Sequence, residues 1–292
     1  MTVMNSTNPV TQQVDMAAYD PDVHVRRYLA SGFGVNDETL FVLLEDSDRE
    51  VVQNALSKFN YRPDLVRSRL LDIAKRFPLV VLDFRGCDET ILEFLANSPD
   101  PIIRYRVAKH PKTPVQLVRP LIQDSDSRVR RNALKHKDLT STDLKSRLSD
   151  IDVRTRVVIA KHRNLTDAMA EILMSDSTIA VVEAIADNKH LDESIQLLAR
   201  KRADELIDQR RAQGGGPVRE RAEIIAADKF YLEDYKKYKA DRSVGVKVTA
   251  YLLALENGFI QMDYCVRRIQ QISTVTTVVK YLDLVAPRVA YA

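Results

Sequence analysis

The chain has no tryptophan and only two cysteines, Cys87 and Cys265, far apart in sequence. That scarcity excludes a disulfide framework, a CxxC redox pair and a cysteine zinc site, and it suits a reducing compartment. Eight glycines in 292 residues leave few positions for the tight turns of a strand-rich fold. No apolar run approaches the roughly 18 residues of a membrane span. The start, Met1 to Asp15, is polar and lacks the basic and apolar regions of a secretory signal. No GxSxG, P-loop, GxGxxG or HExxH motif occurs. These absences set the expectations of a cytoplasmic protein with no membrane contact, no catalytic residues, no cofactor and no metal.

What is present is unevenly distributed charge. The net charge of +3 conceals an acidic first third, with 10 Lys+Arg against 15 Asp+Glu over residues 1–97. Residues 98–175 carry 16 bases against 9 acids, so some basic surface must remain after every local ion pair has formed.

A period of 26 residues runs from Asp20 without insertion or deletion. Asp20, Asp46, Asp72, Ser98, Asp124, Asp150 and Asp176 share one column. Nine residues further on stand Leu29, Ala55, Val81, Val107, Ala133, Ile159 and Ile185, all apolar. Each period reads as two short helices. The first follows the Asp-rich turn and keeps its apolar residues on one helical face. The second follows a column of Asn36, Arg62, Asp88, Pro114, Thr140, Thr166 and Asp192, most of which suit a helix N-cap. A 26-residue unit cannot bury its own apolar face, and stacking of neighbours supplies a continuous core. The expected fold is therefore all-α: a right-handed α-solenoid of seven two-helix repeats over 20–201. It is preceded by a flexible arm, 1–19, and followed by a charged Gly-containing connector, 202–222. A C-terminal helical domain, 223–292, would cap the array or bind a partner.

The stretches Asp124-Ser-Asp-Ser-Arg-Val-Arg-Arg-Asn-Ala-Leu-Lys-His and Arg104-Tyr-Arg-Val-Ala-Lys-His-Pro-Lys-Thr-Pro resemble leucine-rich repeat variant units, and they are similar to short HEAT-like repeats. The resemblance covers about 180 residues. It is clear in the fourth to sixth units and degenerate in the second, third and seventh. It implies a helical superhelix used for binding and names no ligand. The iron–sulfur module of some leucine-rich repeat variant proteins needs a cysteine cluster that this chain lacks.

Two columns carry candidate function. Arg26, Arg104, Arg130 and Arg156 share one position, with Val52, Pro78 and Val182 in the other units. A row of guanidinium groups could face phosphates. The spacing favours a structural ladder, because Asp20, Asp124 and Asp150 stand six residues before Arg26, Arg130 and Arg156 and arginine–carboxylate forks suit joints between neighbouring units. Lys109, Lys135 and Lys161 are each followed by a histidine, His110, His136 and His162, with Asn188 next in line. Helices packed about 8–10 Å apart cannot bring one column onto a single metal ion. The last turn of a helix, where cations are favoured, explains the pattern instead. Arg106, Lys109, Arg131, Lys135, Lys137, Lys161 and Arg163 form the candidate surface for a polyanion or a partner. The leading expectation is a non-enzymatic scaffold binding a protein partner. The alternatives are a nucleic-acid-binding protein using the basic repeats four to six and, with less support, a HEAT-like-repeat DNA glycosylase.

In the C-terminal part, Ile224, Ile225, Tyr231, Leu232, Tyr235 and Tyr238 fall mostly on one helical face. Ser243–Asn257, ended by Gly258, predicts a second helix. Phe259–Ile272, with Cys265 as an apolar filler, predicts a third, and Val275–Val285 a fourth.

Overall fold

The computed structural model describes residues 13–212, 217–227, 232–273, 281, 284 and 285. Every regular element among them is helical. They fall into two compact bodies, Met1–Ala133 and Leu134–Ala292.

The first body opens with a 3₁₀ turn, Met16–Tyr19, which packs on α1 (Val23–Ser31) and α2 (Asp37–Leu43). The Asp15 amide donates to Thr39 Oγ1 at 2.8 Å, and Asn36 Nδ2 donates to the Gln13 carbonyl at 2.9 Å. The described end of the expected arm is thus folded onto the first helix pair, and residues 1–12 lie outside the description. Next come α3 (Arg49–Ser57), α4 (Leu70–Arg76), α5 (Pro78–Leu82) and α6 (Glu89–Ala96). The body closes with α7 (Pro101–Lys109), α8 (Val115–Leu121) and α9 (Ser127–Ala133). Helices one register apart are neighbours: α1 packs on α3, α3 on α5, α5 on α7 and α7 on α9. Ala55, Val81, Val107 and Ala133 are buried between them, as are Leu40, Val66, Leu92 and Val118 from the second position.

The local chemistry of the helix starts repeats as well. Asp22, Asp48 and Asp100 each accept the backbone N–H two residues on, which caps α1, α3 and α7. Asn36 and Asp88 cap α2 and α6. Arg62 and Pro114 hold the equivalent position with no side-chain cap bond. After Arg62 the chain forms a 3₁₀ helix, Pro63–Arg69, that runs directly into α4. Asp72 consequently lies inside a helix, paired with Lys75, instead of in a turn.

The second body contains α10 (Ser141–Lys145), α11 (Val153–Ala160), α12 (Asp167–Met174) and α13 (Ile179–Ala186). Thr140, Asp152 and Thr166 cap the first three. The helix α14 (Glu193–Ala212) continues through residue 201, so the expected boundary between array and connector falls inside one helix. The connector's Gly214, Gly215 and Gly216 lie outside the described residues. There follow α15 (Pro217–Ala227), α16 (Leu232–Tyr238), α17 (Val244–Glu256) and α18 (Met262–Ile272). The expected fourth helix, Val275–Val285, lies mostly outside the description. α17 is central. It packs on α15, α16 and α18 and buries Val246, Ala250, Tyr251 and Leu253 against Ile225, Cys265 and Ile269. Tyr235 meets Tyr251 edge to face at 5.8 Å. Gly258, at φ 69°, ends the α17 turn in the left-handed region that glycine adopts without strain.

Candidate partner-binding surface

The arginine column is structural in its contacts. Arg104 sends Nε to Asp124 Oδ2 at 2.6 Å and Nη2 to Oδ1 at 2.9 Å, while Nη1 donates to the Ser98 carbonyl at 2.8 Å. Arg26 repeats this with Asp46 and the Asp20 carbonyl, and Arg156 with Asp176 and the Asp150 carbonyl. Arg130 donates Nη1 to the Asp124 carbonyl at 2.9 Å and is 7% exposed. For Arg26 and Arg156 the aspartate six residues upstream therefore supplies a backbone carbonyl, and the carboxylate comes from twenty residues downstream. Asp20, Asp46, Asp124, Asp150 and Asp176 each also accept the N–H two residues on. Burial pushes the Asp124 and Asp176 carboxyls up, but the arginine and amide bonds outweigh it and hold both below the ordinary value.

The histidine column forms a second set of joints. His162 Nδ1 accepts the Asn164 amide at 3.1 Å, and its Nε2 lies 3.2 Å from the His136 carbonyl. The pattern assigns the proton to Nε2. Asn188 does the same with an amide, accepting from His190 N and donating to the His162 carbonyl at 3.1 Å. Burial lowers the His162 pKa, helped by nearby Arg163 and His190 and opposed by the His136 carbonyl. With one nitrogen accepting and the other donating to backbone, this ring has no lone pair left for a metal.

The other basic candidates lie outside both ladders. Lys109, Lys135, Lys137, Lys161 and Arg163 are exposed in the turns between paired helices or at their edge. Arg106 is half-buried and ion-paired with Asp83, and half-buried Arg131 donates to Ser127 Oγ at 3.2 Å. In the first body, Arg106 and Lys109 line one cleft together with Arg85 and Lys112. In the second, the loops bearing Lys137, Arg163 and Lys189 are held in sequence by the His162 and Asn188 joints.

The C-terminal helices make a third kind of contact. Thr178 occupies the position where Asp22, Asp48, Asp100 and Asp152 cap their helices, and its side chain caps nothing. The Glu220 carboxylate of α15 accepts the Ile179 and Ala180 amides instead, both at 3.1 Å, and is 3% exposed. Reciprocally, Arg154 of α11 donates Nη2 to the Ile224 and Ile225 carbonyls at the end of α15, and its Nη1 lies 3.6 Å from Asp234. The sequence reading gives no role to Glu220 or Arg85 and places Arg154 and Lys112 only among the surplus bases of residues 98–175. It also missed the second aspartate of each Asp-x-Asp turn, whose period was visible.

Comparison of the chain with protein-family models, with curated proteins and with solved structures finds no match. Among the described residues no helix is long and apolar enough to cross a membrane.

Proposed function

We propose that this protein is a non-enzymatic interaction scaffold of the cytoplasm. On this reading it is a right-handed α-solenoid of the leucine-rich repeat variant or short HEAT-like kind, and it binds an acidic protein partner through the basic turns between paired helices. One observation carries the reading. The arginines that could have faced a polyanion, Arg26, Arg104 and Arg156, are spent on internal joints, whereas Lys109, Lys137, Lys161 and Arg163 project from turns that those joints hold in order. Exposed cations on a preorganised edge attract an acidic surface without an ordering cost. The two cysteines are free and buried, in keeping with a structural role in a reducing compartment.

The test is capture of partners from native lysate by the wild-type chain and by Lys137→Glu/Arg163→Glu, with and without nuclease. A protein retained after nuclease by the wild type and lost by the variant supports the reading. Retention of nucleic acid alone would replace it with the nucleic-acid alternative, and base release from alkylated DNA would replace it with the glycosylase.

A further inference from the structure

A cleft of about 690 Å³ opens in the first body among the turns after α3, α5 and α7. Its volume lies in the range of sites that enclose small ligands or peptide side chains. Pro63, Leu82, Phe84 and Pro111 give it apolar walls. Gly86 lets the turn after α5 pack closely on two of these walls, because a Cβ there would collide with the Phe84 ring and with Pro63. The turns are fixed by bonds that owe nothing to a ligand. Lys112 Nζ donates to the Arg85 and Cys87 carbonyls, and the Arg85 amide donates to Asn60 Oδ1 at 3.2 Å. The cleft is therefore preformed.

Its rim is strongly cationic. Arg85, Arg106, Lys109 and Lys112 face one carboxylate, Asp83, which Arg106 engages. Arg85 and Lys109 are exposed. The local potential acts on His110, whose pKa is lowered by burial first and then by Lys112 and Arg106.

We infer that this cleft binds an acidic, extended peptide segment, with carboxylates at Arg85 and Lys109 and an apolar side chain against Pro63 and Pro111. The inference rests on the scaffold reading and gives it a specific seat. Peptide suits the cleft better than nucleic acid on two counts. Sequence-tolerant binding of single strands needs open aromatic faces, yet Phe84 is buried and one face of the Tyr61 ring carries the Arg85 guanidinium at 5.5 Å. Asp83 and Asn60 add acceptors that a peptide N–H can use and that a phosphate backbone would avoid.

The test is fluorescence anisotropy of a fluorescein-labelled hexapeptide of four glutamates and two leucines, titrated with the full chain at low salt. Arg85→Glu and Lys109→Glu are each expected to weaken binding tenfold or more. Lys145→Glu, an exposed charge on α10, should change it less than twofold. The same peptide with glutamine for glutamate should bind the wild type at least tenfold more weakly. Binding by Arg85→Glu and Lys109→Glu at wild-type strength overturns the inference, as does indifference to the glutamine peptide. Equal weakening by Lys137→Glu and Arg163→Glu overturns it too, by showing diffuse attraction along the turns. Tighter binding of an oligothymidylate of matched charge overturns it in favour of nucleic acid. If lysate capture succeeds while the peptide fails, the cleft is wrong and the scaffold reading stands.

Discussion

Residues 98–186 and residues 46–97 obey the same period by different chemistry. In the first stretch Arg104 and Arg156 make three-pronged joints, and α7, α10, α11 and α12 carry their own Asp or Thr caps. In the second, Val52 and Pro78 replace the arginines, and Val52 is fully buried. Phe59 is fully buried and stacks on Phe41 at 5.4 Å. Arg76 reaches back to the Asp46 and Leu44 carbonyls at 2.8 and 2.7 Å, so one carbonyl of the missing joint is served from another register position. The apolar columns are what both stretches share. Polar joints differ between the stretches, the second being served by Arg76 from another register position.

Five kinds of substitution sharpen this comparison. The largest effect is expected for the shared core. Ala133 is fully buried, so Ala133→Asp should cost about 3–5 kcal/mol by urea unfolding. A wild-type unfolding midpoint for this variant would break the claim that the apolar column unites the two stretches.

Next comes the arginine joint. Arg104→Ala leaves the Asp124 carboxylate without its fork, and the expected loss is about 2 kcal/mol. Arg104→Lys should recover less than half of it, because an ammonium cannot make the fork. Arg76→Ala, at an exposed site, should cost about 1 kcal/mol. If the Arg76 loss equals that at Arg104, the two stretches depend on polar joints alike and the distinction fails.

The cap supplied from a distance is expected to matter less. Glu220→Ala should cost about 1 kcal/mol, the usual value of a helix N-cap. Adding Thr178→Asp should recover most of that loss by restoring the cap found at Asp152. No recovery would mean that Glu220 acts through Arg210, 3.6 Å from its Oε1, and not through the α13 amides.

The histidine joints make a pH-dependent contribution. His162 has a pKa below its ordinary value of 6.5, so the unfolded chain binds more protons just below that pH. Its contribution is complete above about pH 6.5 and is lost as pH falls through the folded value. The aspartates at Asp124 and Asp176, also lowered, lose theirs only below their ordinary value of 3.8. His162→Asn should flatten the first phase of acid destabilisation while keeping the joint, since Asn188 already makes it with an amide. An unchanged stability–pH curve would remove His162 from this account. Lys137→Ala, in an exposed turn, sets the floor at less than about 0.5 kcal/mol.

The parts legible in the sequence were those that a column can hold. The apolar positions Val107, Ala133 and Ile159 and the caps Asn36, Asp88, Thr140 and Thr166 act within one segment or against identical neighbours, so their period displays them. The partner of Arg104 was harder to see. Column logic pairs Arg26 and Arg156 with the aspartates six residues upstream, but before Arg104 that position is Ser98, and folding presents only its carbonyl and brings Asp124 from the next turn. Departures from the period were harder still. Nothing at Arg62 announces that a 3₁₀ helix will carry the chain through the expected turn at Asp72. No spacing rule connects Glu220 to Ile179, 41 residues away. The cleft combines Arg85 and Lys112 from different columns, so no single column displays it.

The borrowed cap on α13 also has a bearing on the order of events during synthesis. Asp22, Asp48, Asp100 and Asp152 precede the amides they hold by two residues, so each of those helix starts can close as soon as it leaves the ribosome. α13 must wait for Glu220. A nascent chain stalled after α14 is therefore expected to expose the Ile179 and Ala180 amides to exchange, and one extended past α15 to protect them. Vectorial synthesis would then complete the start of α13 later than the starts of α1, α3, α7 and α11, whose caps lie within their own segments.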